Sequence, residues 1–223
     1  MLNQIKGKLV VSCQALPDEP LYSSFIMGRM ALAAKQGGAV GIRAQSVEDI
    51  KEIMAVTGLP VIGIIKRNYP DSEIYITPTK KEVDELLRTN CQMIALDATL
   101  RSRPNDEQLE DLVKRIQSRH VLAMGDCSTY EEAVHAEKIG FDCVSTTMCG
   151  YTPYSEHLSG PNLALIQQLA VNLHIPVLAE GKINTPEDLK MVFEAGAYSA
   201  IVGGAITRPK DITSRFISAL NNF

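Results

Sequence analysis

Short apolar runs alternate with amphipathic segments from one end of the chain to the other. The runs cover residues 9–13, 39–42, 61–65, 93–96, 121–124, 143–145, 177–179 and 200–202. Several are rich in Val and Ile, and none shows a polar residue at every second position. Strands covered on both faces by helices have this character. Between them, Val47, Ile50 and Ile53/Met54 share one helical face, as do Leu109, Leu112/Val113 and Ile116. Four helices are predicted to open with a hydroxyl and a carboxylate three residues apart: Ser46 with Asp49, Thr79 with Glu82, Ser128 with Glu131, and Thr185 with Asp188. That spacing lets the hydroxyl cap the first-turn amides while the acid answers the helix dipole. Pro186 follows Thr185, where a helix tolerates proline best. Glycines at 37–38, 140 and 196 precede the next apolar run and are predicted to stop the helices before it.

The strand–helix unit therefore recurs eight times in 223 residues, about 28 residues each. Such alternation predicts a parallel sheet, and eight short units predict a (β/α)8 barrel forming one domain over residues 1–223. A doubly wound sheet is the main alternative, although it more often has fewer strands.

In a barrel the chemistry gathers at the C-terminal strand ends. The residues after the apolar runs are Gln14, Arg43, Lys66, Asp97, Asp126, Thr146–Thr147, Glu180 and Gly203–Gly204. Loops are polar anyway, which accounts for about half of these. It accounts less well for five charged groups set directly against apolar strands, where an unpaired charge is costly. The eighth strand runs into Gly203-Gly204-Ala205-Ile206-Thr207-Arg208. Loops after strands 7 and 8 of this fold commonly bind phosphate through backbone amides. Arg208 would add a charge-assisted contact, and Gly181 with Lys182 after strand 7 would add an amide and a cation. Lys66, in the barrel mouth, reads as a general base, a Schiff-base nucleophile or the partner of a structural carboxylate.

Composition narrows the partners. Against 22 Lys and Arg stand 26 Asp and Glu, a net charge of −4, which argues against nucleic acid. No stretch approaches the ~20 apolar residues of a membrane span, and the short first apolar run predicts no signal peptide. The five cysteines (13, 91, 127, 143, 149) lack zinc or redox spacing and read as thiols in a reducing cytoplasm. None of His120, His135, His157 and His174 ends a strand, so no metal site is expected. No G-x-G-x-x-G follows a strand, so no dinucleotide is expected either.

Longer motifs add a resemblance. Val11-Ser12-Cys13-Gln14-Ala15-Leu16-Pro17-Asp18-Glu19-Pro20, Gly41-Ile42-Arg43, Ile64-Ile65-Lys66-Arg67 and Ile94-Ala95-Leu96-Asp97-Ala98-Thr99 resemble the bacterial N-acetylmannosamine-6-phosphate 2-epimerase family. So do Thr146-Thr147 with Gly150-Tyr151-Thr152, Ala179-Glu180-Gly181 and Val202 through Pro209. The resemblance spans nearly the whole chain. It implies a phosphate-binding TIM barrel of the ribulose-phosphate-binding type, usually a homodimer, that interconverts N-acetyl-D-mannosamine 6-phosphate and N-acetyl-D-glucosamine 6-phosphate in sialic acid breakdown without an added cofactor. It also implies that Lys66 is catalytic with Glu180 and Asp126, and that Arg43 and Arg208 contact substrate.

Inverting C2 of an N-acyl amino sugar means removing its proton beside the open-chain C1 carbonyl and returning one to the other face. Such a site needs a base, a proton donor and a positive group near the developing oxyanion. Lys66 fits the base, Glu180 the donor or an aid to ring opening, and Arg43 the enolate or the acetamido group. Asp126 would orient Lys66 or a sugar hydroxyl, with Gln14 and Thr147 lining the substrate, and Gly181, Lys182, Gly203, Gly204 and Arg208 holding the phosphate. A Schiff-base aldolase using Lys66, or a non-catalytic sugar-phosphate sensor, stays open on the residues alone. The apolar Ile212, Phe216 and Leu220 are candidates for a dimer contact.

Overall fold

A computed structural model describes residues 1–220. In chain order the elements are α1 (Leu2–Ile5), β1 (Leu9–Cys13), α2 (Ser24–Gln36), β2 (Gly41–Gln45), α3 (Val47–Thr57), β3 (Val61–Ile64), α4 (Lys80–Leu87), β4 (Met93–Asp97) and α5 (Leu109–Gln117). They continue with β5 (Leu122–Asp126), α6 (Tyr130–Lys138), β6 (Cys143–Ser145), α7 (Leu163–Asn172), β7 (Val177–Glu180), α8 (Pro186–Glu194), β8 (Ser199–Val202), α9 (Gly204–Thr207) and α10 (Pro209–Leu220). Every strand pairs in parallel with its sequence neighbours, and β1 pairs with β8 to close the barrel. That closure excludes the doubly wound alternative.

The absence of a polar alternation in the strands has a direct cause. Val10, Ile62, Ile64, Met93, Ala95, Met124, Cys143, Leu178 and Ile201 fill the barrel interior, while Val11, Cys13, Ile42, Val61, Ile94 and Val144 pack outward under the helices. Both faces are dry, so both faces are apolar. Polar side chains do enter the strands, at Ser12, Arg43, Gln45, Asp97, Asp126, Ser145, Glu180 and Ser199, and position 43 is the one that carries a buried cation. The apolar run at 39–42 predicted a strand ending before Arg43, but β2 runs from Gly41 to Gln45 and places Arg43 within the strand. Arg43 is 1% exposed, which a charge tolerates only with partners.

The helix starts are close to expectation with two differences. Thr79–Glu82 and Thr185–Asp188 form complete capping boxes. On α6 the box is Thr129–Glu132, one residue beyond the expected pair, because Thr129 is the extended residue that precedes the helix. Buried Glu132 then accepts from Ser128 Oγ at 2.7 Å and from the Tyr154 hydroxyl at 2.6 Å. On α3, Ser46 Oγ accepts from the Asp49 amide, but the Asp49 carboxylate turns to Ser24 Oγ at 2.7 Å, tying α2 to α3. Gly140 and Gly196 leave their helices at φ 98° and 99°, a region that strains other residues.

All five cysteines are free thiols and four are buried. No helix among the described residues is long and apolar enough to cross a membrane.

Candidate active site

The C-terminal ends of the strands open into a cavity of about 370 Å³. Its walls come from strand ends and the segments after them, among them Ser12 in β1 and Gln14 after it, Lys66 after β3, Thr147 after β6, Gly181 and Lys182 after β7, and Gly203, Gly204, Ala205, Thr207 and Arg208 after β8. Arg43 and Glu180 also line it.

The site rests on one charged knot. Arg43 Nη2 donates to Asp126 Oδ2 at 2.6 Å, and Nη1 donates to Asp126 Oδ1 at 2.9 Å and Glu180 Oε2 at 2.6 Å. Thr147 Oγ1 sits 2.9 Å from both Asp126 Oδ1 and Glu180 Oε2, and Ser145 Oγ donates to Asp126 Oδ1 at 2.8 Å. Burial alone would lower the affinity of Arg43 for its proton, but the two carboxylates outweigh it and raise the guanidinium above its ordinary range. One hydroxyl proton on Thr147 cannot serve two carboxylate oxygens at once. Burial pushes the Glu180 carboxyl up, and Asp126 adds to the push, while Arg43, the Thr147 hydrogen bond and Lys66 oppose it. The net shift is upward, so Glu180 keeps a proton more readily than a free carboxylate.

Lys66 follows β3 and is fixed by the chain beyond it. An antiparallel bridge joins Lys66 to Ile76, the Arg67 amide donates to the Tyr75 carbonyl at 3.0 Å, and the Arg67 guanidinium pairs with Glu82 and Glu85. The ammonium has no hydrogen-bond or ion-pair partner among the described residues. Burial lowers its pKa first, Arg43 and Arg208 lower it further, and Glu180 and Glu19 partly restore it, leaving about 8 against an ordinary 10.5. An amine in this state is neutral in a sizeable fraction of molecules near pH 8, as a base must be.

The residues expected to hold an anion follow β7 and β8. The amides of Gly181, Gly203 and Gly204 donate to no acceptor among the described residues. A Cβ on Gly203 would stand 3.3 Å from Ser12 Cβ, a tight contact that needs a shift of a few tenths of an ångström, so glycine eases the close approach of this backbone to β1. Arg208 is paired with Glu19, its Nη1 lying 3.1 Å from Oε1.

The structure thus gathers Gln14, Arg43, Lys66, Thr147, Glu180, Gly181, Lys182, Gly203, Gly204 and Arg208 around one cavity. Two residues behave differently from expectation. Asp126 is 0% exposed, does not line the cavity, and places both oxygens on Arg43 instead of on Lys66 or an open sugar site. It positions the arginine. Lys182 reaches the rim, but its ammonium donates to the Leu158 carbonyl at 2.6 Å and stands 6.0 Å from the Tyr151 ring, which draws the charge away from the glycine amides. Asp97, another strand-end acid, is held by Thr99 and Arg101 outside the cavity. Sequence reasoning missed Ser12, Tyr75 and Tyr151 in the wall. Ser12 was readable as the same-face neighbour of Gln14, two residues away. The two tyrosines lie in loops that carry no periodic signal.

Comparison with known proteins decides the family. The family profile described as "Putative N-acetylmannosamine-6-phosphate epimerase" matches residues 27–222. The chain belongs to this NanE family. A family relative from Clostridioides difficile, named "Putative N-acetylmannosamine-6-phosphate 2-epimerase", is 65% identical over 220 residues, covering 99% of both chains. Another of the same name from Oceanobacillus iheyensis is 57% identical over 97% of this chain and 100% of its own. A family structure, described as the N-acetylmannosamine-6-phosphate 2-epimerase from Clostridium perfringens, superposes with a TM-score of 0.97 at 64% identity, over 98% of this chain and 95% of that one. Outside the family, a thiamine phosphate pyrophosphorylase from Pyrococcus furiosus shares only the fold, at a TM-score of 0.64 and 20% identity over 96% of this chain and 92% of that one.

Proposed function

We propose that the protein is an isomerase interconverting N-acetyl-D-mannosamine 6-phosphate and N-acetyl-D-glucosamine 6-phosphate by removing and returning the C2 proton through an enolate, without an added cofactor. The observation that carries this reading is Lys66: an amine free of partners among the described residues, at the cavity wall, lowered to about 8 by burial and by two arginines. In the proposal Lys66 takes the C2 proton. Arg43, fixed by Asp126, bears on the charge that develops as the enolate forms. Glu180, with its raised carboxyl, supplies a proton to the opposite face or to the ring oxygen on opening. Gly181, Gly203, Gly204 and Arg208 bind the phosphate, whose remote anchoring sets C2 against the amine. We place this activity in cytoplasmic breakdown of sialic acid and related amino sugars, performed by a homodimer. The exposed Phe216 and Leu220 on α10, a helix that buries none of its own residues, support the oligomeric part of the proposal.

The test is the fate of the C2 hydrogen. Turnover in D2O is expected to give product carrying deuterium at C2, read by proton NMR as loss of the C2 signal, because both the amine and the carboxyl exchange with water. Substrate deuterated at C2 is expected to show a primary isotope effect wherever C–H cleavage limits the rate. No exchange and no isotope effect together would sink the enolate route. Borohydride trapping of Lys66 in the presence of substrate would transfer the lysine to the Schiff-base class.

A further inference from the structure

Glu19 is a charged residue beside the cavity that the mechanism leaves unused. It sits in the loop between β1 and α2, inside Pro17-Asp18-Glu19-Pro20. Its Oε1 is 3.1 Å from Arg208 Nη1, and its Oε2 accepts from Nη2 at 3.4 Å. Oε2 also accepts the Leu16 amide at 2.7 Å, so the carboxylate is itself held by its own loop. That loop is anchored in turn, because the Glu19 amide donates to the Leu16 carbonyl at 2.9 Å and Gln45 Nε2 donates to the Ala15 carbonyl at 3.3 Å. The only other acid near the guanidinium among the described residues is Asp211, more distant at 3.9 Å.

The arrangement engages both Nη atoms of Arg208 and leaves Nε without a partner among the described residues. Arg208 Cδ also lies 3.6 Å from where a Cβ on Gly204 would stand, so the side chain runs along the glycine segment. Arginine has several free torsions, and ordering them on binding costs affinity unless they are ordered beforehand. A fork held from one edge by a carboxylate presents its remaining donors in a fixed direction. We propose that Glu19 is the positioning residue of the anion subsite, holding Arg208 in place so that its free edge and the glycine amides meet the phosphoryl group together. This rests on the reading of Arg208 as the phosphate anchor. It makes Glu19 a determinant of the preference for phosphorylated over neutral sugars, although the residue is an anion standing beside an anion site.

A double-mutant cycle on the full chain tests this, with initial rates on N-acetylmannosamine 6-phosphate. Glu19→Ala is expected to raise KM about 3- to 5-fold, the upper scale of a partly exposed ion pair, with kcat within about twofold of wild type. Glu19→Gln, which keeps an acceptor oxygen, should fall between. In an Arg208→Ala background the same Glu19 change should add less than about twofold, because its partner is already gone. A KM that is unchanged or lowered in Glu19→Ala would overturn the proposal, the lowered value meaning that the carboxylate competes with phosphate. An equal effect in both backgrounds would also overturn it, by showing that Glu19 acts through loop folding. Should alanine unsettle the loop, Glu19→Gln completes the same cycle. Arg208→Ala alone with a wild-type KM would remove the anchor reading itself, and this inference with it, which separates the two failures.

Discussion

Lys66→Ala is expected to lower kcat by about 10²- to 10⁴-fold, the usual share of a positioned general base, while substrate still binds. The ammonium makes no internal hydrogen bond or ion pair among the described residues, so its removal deletes chemistry without orphaning a neighbour. Lys66→Arg should recover little, because a guanidinium stays protonated at any working pH. The pH dependence follows from the sign of the shift. With Lys66 lowered to about 8, its neutral form is lost as pH falls through that value, so kcat/KM should decline on the acid side with a one-proton slope. Burial is the largest cause and the charges of Arg43 and Arg208 come next, so Arg208→Ala should move that limb to higher pH. Initial rates across pH on both variants check these points. More than a tenth of wild-type turnover in the alanine variant would rule Lys66 out as the base.

Asp126→Ala should have the largest effect on stability. Arg43 and Asp126 are 1% and 0% exposed, and the aspartate meets the guanidinium with both oxygens. Removing one partner of a buried pair costs roughly 3–5 kcal/mol, because the remaining charge stays out of water without compensation. For a chain of this size that corresponds to a fall in Tm of roughly 6–20 °C. Glu180 still holds Nη1, which favours the lower end of that range. Activity should fall too, because Arg43, which also holds Glu180, loses the carboxylate that fixes it, whereas Asp126→Asn, of the same shape, should melt closer to wild type. Thermal melts followed by far-UV circular dichroism decide the matter. A melt within 2 °C of wild type, a margin of roughly 1 kcal/mol at most, would mean that Arg43 does not depend on Asp126.

The difference between Asp126 and Lys66 shows how far the chain could be read directly. Both follow apolar runs at the mouth of a barrel, and in sequence both look equally available to a substrate. In space Lys66 reaches the cavity, whereas Asp126 turns inward to Arg43, which lies 83 positions earlier in the chain. Arg43 in turn looked like a residue just past a strand, because an unbroken apolar run is the only strand signal that local pattern supplies. A buried arginine within a strand is admissible only when acids from β5 and β7 arrive beside it. Pattern cannot see partners from distant strands.

The local physics of the sequence determined the rest. Runs apolar on both faces, spaced about 28 residues apart and alternating with capped helices, require a parallel sheet covered all round, and eight of them close a barrel. The glycines and arginine after the eighth strand could be singled out as the proposed anion site because amide approach and charge are written into residue type. Tertiary structure alone decided which acid meets which base: Asp126 on Arg43, Glu19 on Arg208, and Lys66 left without a partner among the described residues. Those choices depend on side-chain directions at strand ends that converge only when β1 pairs with β8. Charges near one another in a dry mouth interact strongly, and the pairing they settle into sets which group is free to move a proton.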